Sequence, residues 1–339
     1  MQKINMQVGI SIVVPCYNEE VSLPQFLQKI TQTMDSMQPL LSVHFNKEST
    51  EQKQLYELIF INDGSKDKTL EILQTMQKQY NQHRIKIFSF SRNFGKEAGI
   101  LAGLEQATGE GVILLDADLQ DPPSLIPQMI QIWLNSQRTI KIIYAKRSNR
   151  RGENKIRAVF SEFFYKISNY VSEVKIESGV RDFRLMDKEV VEALLRLKEY
   201  HRFSKAMFAW VGFQSKCLEY DYIPHFKESS SWSFWNLFKY AIEGIVSFST
   251  MPLRIAFIVG FIMSIVSGGY GIYRFIWTIL YGNLVPGYPS LICIITFIGG
   301  MQLILLGIIG EYIARIYEQV KYRPHYIFEQ LKQTKSKDS

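Results

Sequence analysis

The chain has 339 residues, 47% hydrophobic, 13% aromatic and 21% charged, with a formal net charge of +7. That much apolar material excludes global disorder, and a mean hydropathy of −0.04 is too polar for a chain mostly embedded in a bilayer. Three scattered cysteines, Cys16, Cys217 and Cys293, give neither a disulfide framework nor a zinc site.

The positive excess suits anionic lipid or phosphate-bearing substrates; with no long basic tract, nucleic acid is not an expected partner. The apolar stretch Val8–Val14 is short and runs into Pro15-Cys16-Tyr17-Asn18-Glu19-Glu20, not a small-residue cleavage site. No secretory signal is therefore expected, and the first domain is expected on the cytoplasmic side.

Short β-rich runs then alternate with helical patterns, the signature of an α/β fold with a mostly parallel sheet. Strands are predicted at Gly9–Pro15, Leu58–Asn62, Ile85–Ser91, Val112–Asp116 and Ile140–Lys146. Helices are predicted over about Glu20–Met37, Lys68–Tyr80 and Lys96–Ala107, and Pro39–Gln54 reads as an irregular surface insertion. Ligands bind outside the carboxyl ends of strands in such sheets. Asn18-Glu19, Asp63-Gly64-Ser65, Ser91-Arg92-Asn93 and Asp116-Ala117-Asp118 are thus expected to converge on one rim.

Near Trp232 the character changes. Trp232, Trp235, Phe238, Ile242, Ile245 and Val246 recur at helical spacing beside Asn236, Lys239 and Glu243, which predicts an interfacial amphipathic helix. Ile255–Tyr273 and Leu291–Ile309 are uncharged, and each approaches the about 20 apolar residues a spanning helix needs. Lys239, Arg254, Arg315, Lys321 and Arg323 flank the pair, while the connector around Tyr281–Ser290 has no Lys or Arg. The positive-inside rule puts both ends in the cytoplasm and the short loop outside, with Arg274 as an exception that can snorkel. Gly260, Ser264 and Gly268 form a small-residue ladder that permits close helix approach, within a chain or between copies.

The residues with the clearest chemistry are Asp116 and Asp118. They follow the apolar run Val112-Ile113-Leu114-Leu115, and two carboxylates two residues apart can share one divalent cation. Hard oxygen ligands suit Mg²⁺ or Mn²⁺, which bind substrate phosphates. Gln120 can add a carbonyl oxygen, and Pro122-Pro123 stiffens the turn that follows.

Together with Pro15-Cys16-Tyr17-Asn18-Glu19, Asn62-Asp63-Gly64-Ser65, Ser91-Arg92-Asn93-Phe94-Gly95-Lys96-Glu97 and Asp116-Ala117-Asp118-Leu119-Gln120-Asp121-Pro122-Pro123, the chain resembles family 2 glycosyltransferases with the GT-A fold. More narrowly it resembles the polyprenyl-phosphate glycosyltransferases, such as dolichol-phosphate mannose synthases and bacterial bactoprenol glucosyltransferases. The resemblance continues through Gly179-Val180-Arg181-Asp182-Phe183-Arg184-Leu185-Met186, Phe208-Ala209-Trp210-Val211-Gly212-Phe213, Phe248-Ser249 and Pro252-Leu253-Arg254.

That resemblance implies a nucleotide-sugar donor and a polyprenyl phosphate acceptor at the bilayer. It places Pro15, Tyr17, Glu19 and Asp63 around the nucleoside, with Asn62 where many relatives have Asp. It assigns Asp116, Ala117 and Asp118 to the donor, Asp116, Asp118 and Gln120 to the metal, Arg147 to the donor phosphates and Arg157 to the acceptor phosphate. Just ahead of the interfacial helix, relatives often carry Arg, Gly, Ser and Lys; here Glu228 and Ser231 replace the Gly and Lys, leaving His225 or Lys227 to supply the charge.

The expectation is an enzyme: a cytoplasmic GT-A domain over 1–228, an interfacial helix over 229–250, two transmembrane helices over 251–315 and a cytoplasmic tail over 316–339. It is expected to transfer glucose or N-acetylglucosamine from a UDP-sugar to undecaprenyl phosphate, with inversion, for cell-envelope glycan modification. The catalytic set is Asp116, Asp118 and Arg147, and a homo-oligomer is plausible. A GDP-mannose donor and an inactive membrane scaffold are the alternatives. A processive synthase is disfavoured by the missing QxxRW-type motif, and an oxidoreductase by the absence of GxGxxG after the first strand.

Overall fold

Strand β1 (Val8–Cys16) sets the layering. Its Ile10, Ile12 and Val14 join the core formed with Phe26, Leu27, Ile30 and Met34 of helix α1 (Leu23–Phe45). Val13 points the other way, onto helix α3 (Lys96–Gln106), so closely that a Cβ on Gly103 would lie 2.1 Å from Val13 Cγ1. A strand buried on both faces is what a parallel sheet between two helical layers requires. The computed structural model describes residues 8–45, 55–80, 84–148, 180–221, 251–281 and 287–330. The chain divides into two units, one comprising 1–165, 174–231 and 324–339, the other 166–173 and 232–323.

In the first unit the remaining strands are β2 (Tyr56–Asn62), β3 (Arg84–Ser89), β4 (Gly109–Leu114), β5 (Ile142–Arg147), β6 (Val180–Asp187) and β7 (Ser215–Tyr220). Their order in the sheet is β3-β2-β1-β4-β6-β5-β7. Every neighbouring pair is parallel except those made by β6, which runs antiparallel to both β4 and β5. Helices α2 (Thr69–Gln79), α4 (Ile126–Asn135), α5 (Lys188–Arg196) and α6 (Ser204–Trp210) complete the unit. The five predicted strands and three predicted helices are present. In-register pairing of Cys16 with Asn62, Asn62 with Ser89 and Val13 with Leu114 brings the carboxyl ends of β1 to β4 to one rim, as expected.

One expectation is corrected. Residues from Pro39 to Phe45 are not irregular: α1 runs through Pro39 to Phe45. An interior proline costs a helix about 3 kcal/mol. Here the apolar stripe runs through it, burying Met37 before it and Leu41 after it and setting the Phe45 ring 6.3 Å from that of the buried Trp133. Each such buried side chain contributes roughly 1.5–3 kcal/mol, enough to carry the helix through the break.

The second unit contains two long helices, α7 (Met251–Tyr281) and α8 (Tyr288–Val320). Each is long and apolar enough to cross a membrane, over Ile255–Tyr273 and Phe297–Val320 respectively. Their apolar side chains are largely uncovered, Phe257, Val266, Leu303 and Ile304 among them, unlike those of a soluble core helix. A Cβ on Gly260 would touch Leu305 at 3.6 Å, whereas Gly268, Gly299 and Gly300 face open space. The second helix is thus longer than its predicted span and continues to Val320. The predicted interfacial helix over 229–250, and with it Arg157, His225 and Lys227, lies outside the described residues.

Candidate active site

The loops after β1 and β2 are laced together through their backbones. Asn18, in left-handed conformation at φ 56°, accepts from the Lys66 amide through Oδ1 at 2.9 Å, and its own amide donates to Ser65 Oγ at 3.0 Å. The Glu19 amide donates to Thr69 Oγ1 at 2.8 Å, leaving the Glu19 carboxylate to accept from Ser22 Oγ. Burial raises the pKa of that carboxyl; Ser22 opposes the shift, and Asp118 and Asp116 add to it. Pro15 is half-buried beside this loop, and Tyr17 stands 43% exposed on the rim.

Asp63 is turned inward. Its two carboxylate oxygens accept from the amides of Phe94 and Gly95 at 2.7 and 2.9 Å. Burial still pushes its pKa up, against those two bonds and the nearby Arg92. The following residue must be glycine: Gly64 has φ 62°, and a Cβ there would lie 2.4 Å from the Arg92 carbonyl carbon. Asn62, where many relatives have Asp, donates to Ser89 Oγ at 2.9 Å and accepts from the Ser65 amide.

At the end of β4, Asp116 and Asp118 meet on the same rim, with the buried Ala117 between them. Leu119 follows at φ 58°, a strained backbone for a branched residue that turns the chain so that the Gln120 amide donates to Asp118 Oδ1 at 3.0 Å. Gln120 Oε1 accepts from Arg147 Nη2 at 3.2 Å and from Arg181 Nη2 at 2.7 Å. Arg147 also donates from Nε to the Tyr220 hydroxyl at 3.4 Å. The predicted Asp116, Asp118, Gln120 and Arg147 are therefore brought together.

Sequence reasoning assigned no role to Lys96, Asp121, Arg181, Asp182 or Tyr220, all of which complete this rim. Lys96 Nζ bridges Asp116 Oδ2 at 2.7 Å and Asp182 Oδ2 at 2.6 Å. Arg181 Nε lies 3.2 Å from the buried Asp121, which also accepts from the Tyr220 hydroxyl. Burial works against ionisation of Asp182, but Lys96 and then Lys205 outweigh it and hold its pKa down to about 2. Asp116 is moved the other way, mainly by burial, with Lys96 opposing and Asp182 and Asp118 adding. The buried Arg184 stacks its guanidinium 3.6 Å over the Phe208 ring, and burial lowers its pKa to about 10. The only signal that could have found Lys96 and the Arg181-Asp182 pair was their place inside the quoted motifs.

Among the described residues no group of three or more His, Cys, Asp or Glu is gathered as a metal cage. The donor set fits a divalent cation on other grounds. It is all oxygen, from two carboxylates and one amide, and burial, with Asp182 and Asp118 adding to it, raises the pKa of Asp116, a cost that a cation there would offset. Mg²⁺-type ions characteristically use one or two carboxylates plus substrate phosphate.

The chain matches the model of "Glycosyl transferase family 2" over residues 11–195 and that of "GtrB C-terminal hairpin" over residues 251–316. It is 41% identical to the uncharacterized glycosyltransferase sll0501 of Synechocystis sp., covering 96% of each chain. It is also 41% identical to the bactoprenol glucosyl transferase of Shigella phage SfV, covering 96% of this chain and 99% of the relative. The SfII prophage-derived bactoprenol glucosyl transferase of Shigella flexneri is 42% identical over 94% of this chain and 97% of its own.

Proposed function

We propose, given that this chain belongs to glycosyl transferase family 2, that it transfers a hexose from a nucleotide sugar to a polyprenyl phosphate. The chain is a glycosyltransferase with the GT-A fold, and its relatives named for bactoprenol glucosyl transfer match it over nearly their whole length. The observation that carries the reading is the rim itself: the Asp116/Asp118 pair beside Lys96, Arg147 and Arg181, in a chain that also carries two exposed apolar helices.

The reaction must displace a nucleoside diphosphate from an anomeric carbon. An oxygen of the acceptor phosphate forms the new bond to C1, the bond from C1 to the diphosphate breaks, and its electron pair leaves on the diphosphate. Negative charge grows on the leaving group. Arg147 and Arg181, held in place by Gln120 and Asp121, are cationic donors set to receive it without reorganising. Asp116 and Asp118 would hold a divalent cation, Mg²⁺ or Mn²⁺, which supplies further neutralisation as a Lewis acid when bound. Gln120, the expected third ligand, has its Oε1 on Arg147 and Arg181 and would have to release one of them to join. Because the acceptor is already an anion, no strong general base is required. In-line attack inverts the anomeric configuration.

Pro15, Tyr17, Glu19 and Asp63 are proposed to border the nucleoside, and Arg157, His225 and Lys227 to meet the acceptor phosphate. The helices α7 and α8 are proposed to span the membrane with the catalytic unit and both termini cytoplasmic, an orientation supported by the Lys and Arg residues at their outer flanks. Anchoring at the headgroup level turns a diffusive encounter with the lipid into a positioned one. UDP-glucose or UDP-N-acetylglucosamine is the proposed donor. The test incubates membranes holding the protein with a panel of radiolabelled nucleotide sugars and undecaprenyl phosphate, then extracts the lipid. Label in the lipid fraction from a UDP-sugar supports the reading; a panel with no labelled lipid overturns it.

A further inference from the structure

Strand β3 is one edge of the sheet, and an unpaired edge normally needs cover. Its cover comes from the far end of the chain. Beyond α8, residues 324–329 belong to the first unit and lie along the end of β3. The Ser91 amide donates to the Ile327 carbonyl at 3.0 Å, the Glu329 amide donates to the Ser89 carbonyl at 2.7 Å, and Phe90 and Phe328 form an antiparallel bridge. Ring packing reinforces the backbone. Phe90, 1% exposed, stacks on Tyr326 with centroids 4.9 Å apart and also meets Phe328 at 5.7 Å. The Tyr326 hydroxyl donates to Glu105 on α3.

The other side of Phe90 faces the rim. Phe94 packs edge-on against it at 5.7 Å, and the amides of Phe94 and Gly95 hold the Asp63 carboxylate. Lys96, the next residue, starts α3 and bridges Asp116 to Asp182. The backbone of Arg92 and Asn93 sits hard against Gly64. Loop 91–95 is thus clamped between the tail on one side and the Asp63-Gly64 turn on the other. It has no regular secondary structure of its own to fix it.

We infer that Tyr326 and Phe328 are positioning residues that set nucleotide-sugar affinity, acting through Phe90 and Phe94 on loop 91–95. The inference rests on the reading of this rim as the donor site. Neither residue touches the rim carboxylates; their effect travels through two aromatic contacts and two amide bonds.

The experiment uses the full chain in detergent, as Phe328→Ala and as the conservative Phe328→Tyr. The first readout is amide hydrogen exchange, which needs no activity. Phe328→Ala is expected to speed exchange at Phe94 and Gly95 by about tenfold or more while β1 stays protected, because local openings are independent of global ones. The second is steady-state transfer: the KM for nucleotide sugar rises about fivefold, with kcat and the polyprenyl phosphate KM within about twofold, and Phe328→Tyr restores it. Unchanged exchange at residues 94 and 95 overturns the inference, and so does an unchanged donor KM in an active enzyme. A loss of kcat alone, or of thermal stability alone, also overturns it by assigning the tail a merely structural part. If Phe328→Ala does not accumulate, Phe328→Leu must show the same exchange and KM changes at about half the size or the inference fails. A wild-type chain that transfers no sugar sinks the proposed function, and the exchange readout still decides the tail.

Discussion

Lys96 Nζ stands 2.7 Å from Asp116 Oδ2, so the first carboxylate of the Asp-x-Asp pair is already oriented by a resident ammonium. The same group lies 2.6 Å from Asp182. One lysine thereby ties together the start of α3, the end of β4 and the start of β6. Preorganised charge of this sort does not have to be assembled during the reaction.

Asp118 carries the proposed metal and donor contacts without carrying the fold. It is half-buried and accepts from the Gln120 amide, a bond an asparagine oxygen can keep. Asp118→Asn is therefore expected to cut transfer to polyprenyl phosphate by about 100-fold or more, with the melting temperature within about 2 °C of wild type. Near-normal transfer by this variant would remove Asp118 from the metal site.

Chelation tests the cation itself. Transfer is expected to stop in EDTA and to return when Mg²⁺ or Mn²⁺ is added in excess. Full activity in EDTA would leave Lys96, Arg147 and Arg181 as the whole electrostatic apparatus and discard the cation from the mechanism.

Arg181 and Lys are not interchangeable here. The guanidinium reaches Asp121 and Gln120 at once, and Asp121 is 1% exposed. An ammonium lacks that fork and loses one of the two bonds, leaving Asp121 with the Tyr220 hydroxyl or Gln120 with Arg147 as its remaining donor. Arg181→Lys is expected to lower stability by about 1–3 kcal/mol in denaturant titration and to reduce kcat. An unchanged midpoint would show that Asp121 is satisfied without it.

Acid stability should depend on Asp187, buried at the opposite end of β6 from the rim. Burial raises its pKa, but bonds from Arg138 at 2.9 Å, the Glu189 amide at 3.1 Å and Trp133 Nε1 at 3.0 Å outweigh burial and set it below the ordinary 3.8. The unfolded chain then takes up this proton before the native one does. The contribution is complete above pH 3.8 and is lost as pH falls through the lower native value. Asp187→Asn is expected to flatten the stability profile below about pH 4, measured by thermal melts from pH 6 downward. A profile parallel to wild type would contradict this.

Pro39 offers the opposite kind of test. It sits exposed inside α1, so alanine loses no packing there and restores a helical amide. Pro39→Ala is expected to stabilise the protein by about 1 kcal/mol or more, read as a higher melting temperature. A lower melting temperature would mean that the helix needs its break.

The parallel half of the sheet was legible because β1, β2 and β4 are largely buried and carry the apolar runs Ile12–Val14, Leu58–Ile61 and Val112–Leu114. Strand β6 was hidden. Three of its first five residues, Arg181, Asp182 and Arg184, are charged, and the sequence gives no sign that Asp121, Lys96 and the Phe208 ring await them. The end of α1 was hidden by Pro39, whose local preference is overruled by the buried Leu41. Asp116 and Asp118 could be found because an acidic pair after an apolar strand is unusual. Lys96 could be singled out only by its place in a quoted motif, since a lysine opening a helix is ordinarily solvated; the arrival of β6 is what makes it a bridge.

The reversed strand has a consequence for how the chain is made. Strands β1 to β4 form a contiguous block that can pair as it leaves the ribosome. Strand β5 cannot: its two sheet neighbours are β6 and β7, both encoded later. At about 5–20 residues per second, Ile142 and Ile143 wait on the order of seconds with neither native neighbour made and the β4 edge still open. That interval, before the first apolar helix has even been translated, is when a chaperone or a misplaced strand from another nascent chain has access to the sheet.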